Sequence, residues 1–223
     1  MNEFTTGILY PRQYEEKVLH ELPSSRQPYF HKHVNEDWNA FFLKDESIER
    51  TETLQFLLNL SAHSLPLLWF HDAEDSGWGY RLFDGGQEVS AATISYSLDV
   101  ELAEAAFLQR YPHIDLYEET FEDDELRNFY EELLEKVVRS EQFRREVLKG
   151  ISRFRPHCFA HMLEPKQLQQ LCALFDINLL TDYDEETGSS LLYDSVDLFK
   201  EILGIEEMVW VNFAYLASGG REA

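Results

Sequence analysis

Two pairs of histidines have the spacing of metal ligands. His157 and His161 are four residues apart, so on an α-helix both imidazoles would lie on one face and reach one ion. His31 and His33 are two residues apart, and alternate residues of a strand point to the same side of a sheet. The pairs therefore suggest a shared site for a divalent transition metal. The competing interpretation is that all four are structural or surface histidines.

Recognised catalytic motifs are absent from the sequence. The zinc-protease motif places Glu directly after its first His as general base, but here Cys158 follows His157. The acidic segment 182–188 fails the EF-hand template, because Thr187 and Tyr193 stand where Gly and Glu are needed. No nucleophile elbow, P-loop or dinucleotide-binding glycine motif occurs. We therefore predict no catalytic residues and no cofactor, apart from the metal of the alternative hypothesis.

The chain is strongly acidic. It has 42 Asp and Glu against 19 Lys and Arg, which gives a formal net charge of −23. A field of this sign repels nucleic acids and anionic membranes and attracts basic proteins. We therefore expect a protein partner with a basic surface, and neither a nucleic acid nor a membrane partner. The alternative explanation for the charge is solubility alone.

The charges are also segregated along one stretch of the chain. Residues 115–135 hold ten acids and one arginine, whereas residues 139–155 hold six Lys and Arg. Acids early and bases late complement the dipole of a helical region. The alternative is that the basic residues form a docking strip for an anionic ligand or an acidic peptide.

The clearest structural signal is an antiparallel β-meander at about 65–98. Three strands are predicted at Leu65–His71, Trp78–Phe83 and Glu88–Leu98. Asp84-Gly85-Gly86 joins the last two, because glycine tolerates the positive φ angles of tight hairpin turns. Further strands are predicted at Phe4–Tyr10 and Asp37–Leu43, and a final strand at about 208–216 is expected to return to the sheet.

Four aromatic residues on these predicted strands are candidates for an interaction surface. They are Trp69, Trp78, Tyr80 and Trp210. If one face of the sheet is uncovered, exposed aromatics there would concentrate interface energy. If both faces are covered, they belong to the core.

Helical spacing of apolar residues fills most of the rest of the chain. Residues 120–123 resemble a capping box, and the helix that follows is predicted to break near Ser140. A helix from Pro165 is predicted to bury Cys172. The other helices are predicted at 13–22, from Asp45 or Ser47 to about 62, at 99–111 and at 195–203. These patterns indicate an α+β fold.

We interpret the chain as one domain, 1–223, with a β-rich part at about 1–98, a helical part at about 99–207 and the final strand. The first residues lack the cationic start and apolar run of a secretory signal. No apolar stretch approaches the ~20 residues of a membrane helix. The cytoplasm is therefore the expected compartment, and Cys158 and Cys172 are expected to be reduced there, although their spacing alone leaves a disulfide open.

The sequence thus favours a non-enzymatic protein-interaction module of the immunity, antitoxin or adaptor kind that binds a basic partner. The alternative is a metal-dependent hydrolase that uses His157 and His161 with His31 or His33. A third hypothesis is a structural subunit whose aromatic sheet face is buried in a homodimer.

Overall fold

A six-stranded antiparallel sheet forms the centre of the computed structural model, which describes residues 4–116, 123–184 and 189–219. The strands lie in the order β2-β3-β1-β4-β5-β6. Their bounds are β1 Thr5–Pro11, β2 Tyr29–His33, β3 Trp38–Leu43, β4 Leu67–Asp72, β5 Gly77–Asp84 and β6 Gln87–Ser95. The predicted meander is confirmed as β4, β5 and β6, and β1 joins it by pairing with β4.

Nine α-helices accompany the sheet in the described part of the chain, which confirms the α+β fold. They are α1 Glu15–Glu21, α2 Thr51–Ser61, α3 Leu98–Arg110, α4 Asp124–Val138, α5 Glu141–Ile151, α6 Pro165–Leu174, α7 Ile177–Leu180, α8 Leu191–Leu203 and α9 Phe213–Ala217. Short 3₁₀ turns occur at Arg12–Tyr14, Leu22–Ser25 and Pro156–Phe159. Tyr183–Asp184 and Ser189–Ser190 form a small hairpin, β7 and β8. None of these helices combines the length and the apolarity needed to cross a membrane.

Both faces of the sheet are covered by helices. Because side chains alternate along a strand, Ile8 and Tyr10 of β1 pack with residues of α1 and α2, while Leu9 packs with residues of α8. We call these sides the α2 face and the α8 face. Strands β1 and β3 are consequently buried along almost their whole length. Within the described residues, helices therefore lie over both faces of this sheet.

Helix α8 supplies the centre of the core on its face of the sheet. Phe199 is fully buried, and its ring stacks on that of Tyr80 with 5.2 Å between centroids. On the same helix Lys200 is also buried, and its Nζ lies 2.6 Å from Oδ2 of Asp72 at the end of β4. The helix ends at Gly204, whose φ of 66° is the left-handed conformation that favours glycine at this position. Packing and an ion pair thus fix α8 against the meander.

Helices α4 and α5 are separated where the sequence predicted a break. Ser140 has an extended ψ of 149°, and its side chain accepts a hydrogen bond from the Phe143 amide at 3.1 Å. It therefore acts as the N-cap of α5. Asp123 caps α4 in the same way and accepts from the amides of Glu125 and Leu126. Residues 120–122 of the predicted capping box, and residues 185–188 of the acidic segment, lie outside the described residues.

The predicted final strand at 208–216 is wrong. Residues 208–212 have no regular structure, and α9 begins at Phe213 because the side chain of Asn212 accepts a hydrogen bond from the Tyr215 amide at 2.8 Å. Trp210 has a φ of 50°, which interrupts any extended run. The segment still reaches the sheet, since the Thr6 amide donates to the Val211 carbonyl at 3.0 Å.

Both cysteines are free, so they form no disulfide. Cys158 is half-buried, with its Sγ 3.6 Å from the Val89 carbonyl oxygen, and burial raises the pKa of its thiol. Cys172, predicted to be buried, is exposed on α6. The stripe that α6 buries contains Leu171 and Leu174 instead.

Helix α5 covers the outer edge of the sheet at β6. The Ala91 amide donates to the Arg153 carbonyl just beyond α5 at 3.2 Å. Gly150 lies so close to β6 that a Cβ added there would be 2.2 Å from the Thr93 carbonyl oxygen. This close approach requires glycine, although the position is helical.

Gly150→Ala is therefore expected to lower the free energy of unfolding by about 2 kcal/mol, because the added methyl group overpacks the contact with β6. Helix propensity alone would raise the free energy of unfolding by roughly 1 kcal/mol. A decrease would therefore indicate the contact with β6, and an increase would indicate helix propensity alone. Urea denaturation would measure the change, with the exposed Gln142→Ala on the same helix as control. A Gly150→Ala protein as stable as the parent would contradict the close contact.

Candidate functional site

Helices α3 and α4 form a hairpin on the outside of the molecule. The fully buried Phe107 of α3 packs against the rings of Phe129 and Tyr130 of α4, with centroids 6.0 and 5.9 Å away. The Arg110 guanidinium lies over the Phe129 ring at 4.6 Å from its centroid. Helix α4 packs mainly against α3 and, near its C-terminal end, against α5. We call these two helices the acidic hairpin.

The apolar stripe of α4 is incompletely covered. None of its residues is buried, whereas α8 buries seven of its own, Phe199 among them. The half-buried residues of the stripe are Leu126, Phe129, Tyr130, Leu133, Leu134, Val137 and Val138. On α3, Val100 and Leu108 are 38% and 43% exposed. The hairpin therefore presents apolar area that burial against another molecule would stabilise.

Carboxylates surround this apolar area. Glu101 on α3 and Glu125, Glu131 and Glu135 on α4 are exposed. The two cations of α4 are paired within the helix, Arg127 with Asp124 and Lys136 with Glu132. The hydrogen bond from Lys136 lowers the pKa of Glu132. These two cations are thus paired with Asp124 and Glu132 and not with the four exposed glutamates. Those glutamates give the surface of the hairpin its negative charge.

A cleft opens where the hairpin meets the rest of the molecule. Its volume is about 210 Å³, and α3, α4, the start of α5 and the start of α8 contribute to its walls. The Tyr193 hydroxyl donates a hydrogen bond to Oδ2 of Asp99 at 3.2 Å across this cleft. Burial is the main cause that raises the pKa of Tyr193 to about 12, so the phenol stays neutral.

The first histidine pair does not lie on one helical face. Residues Pro156–Phe159 form a 3₁₀ turn, and His161 lies beyond its end. Both His157 and His161 are exposed. The geometry that would place two imidazoles one α-helical turn apart is therefore not formed.

The second pair does share one side of a strand, as predicted, but one ring nitrogen of each histidine has a protein partner. Nε2 of His31 lies 2.6 Å from the Tyr10 hydroxyl, and Nδ1 of His33 lies 3.0 Å from Oδ1 of Asn39. Burial is the main cause that lowers the pKa of His31 and raises that of Tyr10 to about 12. These histidines take part in a polar network with Asn39, which is fully buried.

The two histidine pairs lie at opposite edges of the sheet. His31 and His33 are on β2, whereas the turn that carries His157 packs on β6. Five strand spacings of about 4.8 Å separate these edges, or roughly 24 Å. Within residues 4–116, 123–184 and 189–219, no group of three or more His, Cys, Asp or Glu is arranged to hold a metal. The structure therefore does not assemble the shared site.

The four aromatic candidates are placed very differently. Trp78 and Tyr80 are fully buried, and their polar atoms bond Ser195 and Ser90 at 2.8 and 3.0 Å. Trp69 is half-buried beside His71, with ring centroids 4.7 Å apart. Trp210 is 54% exposed. Only Trp210 of the four presents most of its side chain at the surface.

Sequence reasoning did not identify Val100, Asp99 or Tyr193 as parts of a surface. The apolar stripe of α4 was visible as a pattern, but nothing in the pattern indicates that other elements leave it half-exposed. No protein-family model, no curated protein and no solved structure matches the chain.

Proposed function

We propose that the protein is a non-enzymatic interaction module that binds a partner with a basic surface through the acidic hairpin. The observation that carries the proposal is the coincidence, on one pair of helices, of exposed carboxylates and an apolar stripe none of whose α4 residues is buried. Opposite charge speeds the encounter of two proteins, and burial of apolar area then holds the complex.

Solubility alone does not account for this arrangement. Acids spread over the surface would keep the protein soluble wherever they stood, whereas a half-exposed apolar stripe opposes solubility. The stripe on α4 includes large side chains such as Phe129 and Leu133. The two features together fit a partner segment that carries apolar residues flanked by Lys or Arg.

The test uses a fluorescent 20-residue amphipathic helix of Lys and Leu as a defined probe, with a Glu and Leu helix as the negative probe. The triple variant Glu125→Gln/Glu131→Gln/Glu135→Gln is expected to bind the Lys probe roughly tenfold more weakly, about 1.4 kcal/mol. Fluorescence anisotropy at two salt concentrations measures it, and added salt should weaken binding to the parent protein.

A matched control removes the same number of charges elsewhere. Glu16, Glu36 and Glu52 are exposed and lie outside α3 and α4, so their replacement by Gln is expected to leave the affinity within twofold. Equal weakening by both triple variants would show that the overall field attracts the probe, and would overturn the assignment of the hairpin. Absence of binding to the Lys probe would overturn the proposed function.

A further inference from the structure

The cleft at the base of the acidic hairpin has the dimensions and the lining of a pocket for one large side chain. Its volume is about 210 Å³. The lining includes Asp99, Leu134, Glu135, Phe143, Tyr183 and Tyr193. Two carboxylates, two phenol rings and apolar walls thus converge where the hairpin joins the body of the protein.

The two carboxylates in the cleft keep capacity for a ligand. Oδ2 of Asp99 accepts the Tyr193 hydroxyl at 3.2 Å, and the rest of that carboxylate can accept further donors. Glu135 is exposed, and the structure gives it no salt bridge within the described ranges. A cation that enters the cleft would meet both groups.

Two of the protein's own arginines lie at the rim of the cleft. The Arg139 guanidinium lies over the ring of Tyr183, 5.9 Å from its centroid. The Arg144 guanidinium donates to Asn178 and Thr181. Both cations are thus engaged at the rim, and the ring of Tyr193, which is 38% exposed, is the second aromatic surface of the cleft.

We propose that this cleft binds an arginine side chain of the basic partner, an inference that rests on the proposed function. Guanidinium is planar, stacks on aromatic faces and pairs with carboxylates through two parallel hydrogen bonds, whereas the lysine ammonium is a strongly hydrated point charge. The apolar walls, such as Leu134, suit the methylene stem of arginine. The cleft thus distinguishes arginine from lysine, while the outer carboxylates of the hairpin attract both.

The experiment compares two probes that differ at one position. The first is the Lys and Leu helix described above, and the second has one central Lys replaced by Arg. The wild-type protein is expected to bind the Arg probe about five- to tenfold more tightly, and Asp99→Asn/Tyr193→Leu is expected to reduce this ratio to about one. Circular dichroism checks that the double variant is folded.

Glu101→Gln is the matched control, because Glu101 is exposed on α3 and does not line the cleft. This variant is expected to bind both probes more weakly by the same factor, so the ratio of the two affinities stays as in the wild-type protein. If the wild-type protein binds both probes equally, or if the ratio survives in the double variant, the cleft inference is overturned while the hairpin stays as the binding surface. If neither probe binds, the proposed function fails as well.

Discussion

Lys200→Met is expected to lower the free energy of unfolding by about 3–5 kcal/mol, as is typical when one partner of a buried ion pair is removed. The side chains of Lys200 and Asp72 are only 7% and 14% exposed, and Nζ lies 2.6 Å from Oδ2. Methionine retains most of the apolar stem of lysine, so the loss reports mainly the unpaired Asp72 carboxylate. Urea denaturation monitored by circular dichroism measures it.

A double-mutant cycle measures the interaction energy between Lys200 and Asp72 apart from their contacts with other residues. Asp72→Asn is expected to destabilise by a similar amount, because it leaves the buried ammonium of Lys200 with only the exposed Asp197 carboxylate, 3.8 Å away. The double variant Asp72→Asn/Lys200→Met should be more stable than the sum of the single losses predicts, by at least 1 kcal/mol. Lys166→Met, at an exposed position of α6, should change stability by less than about 0.5 kcal/mol. Additive single losses would contradict the coupling of Lys200 and Asp72.

Phe199→Ala is expected to lower the free energy of unfolding by about 3–5 kcal/mol, because it opens a cavity in a close-packed aromatic cluster. The Phe199 ring lies 4.8 Å from that of Trp78, 5.2 Å from Tyr80 and 5.9 Å from Phe70, centroid to centroid. One side chain of α8 therefore contacts both β4 and β5.

Chemical denaturation measures this loss, and near-ultraviolet circular dichroism reports whether the packing around Trp78 is retained. Phe199→Leu should cost distinctly less, since it keeps most of the apolar volume. Leu179→Ala, at a position 45% exposed on α7, is the control and should cost less than about 1 kcal/mol. A Phe199→Ala protein no less stable than this control would show that the cluster does not carry the stability of the core.

Local signals in the sequence were sufficient for much of this fold. The meander was predictable because Gly85 and Gly86, with φ of 58° and 76°, form a turn that few other residues tolerate. The break between α4 and α5 was predictable because Ser140 interrupts the apolar stripe and can cap the next helix. In both cases a few neighbouring residues determine the backbone.

Elements that depend on tertiary contacts were not predictable in this way. Strand β2, Tyr29–His33, has no buried residue and so lacks the alternation that marks a strand. The alternating apolar residues at 208–216 looked like a strand, but the buried ones are Met208 and Val211, three apart. Which residues of this segment are buried depends on the surface against which the segment packs. That surface is formed by residues distant in the sequence.

The candidate site shows the same division. The excess of acids at 115–135 was visible in the sequence, and five of these ten acids lie on α4 in the structure. Whether Trp78 and Tyr80 face a partner or the core depends on which helices cover the sheet, and no pattern within β5 contains that information. The histidine pairs met a local criterion, whereas their placement on β2 and beside β6 follows from the order of the strands.

The contact between β1 and the segment that follows α8 has a consequence for synthesis of the chain. Thr6 bonds Val211, and the side chain of Asn212 donates to the Phe4 carbonyl at 2.8 Å. The ribosome completes β1 long before these partners and before α8. A nascent chain that ends before about residue 199 therefore lacks Phe199, whose ring packs on Trp78 and Tyr80. Its α8 face is then covered only in part, and exposed apolar surface of this kind is a substrate for chaperones. Completion of the sheet thus waits until residues 211 and 212 have been translated.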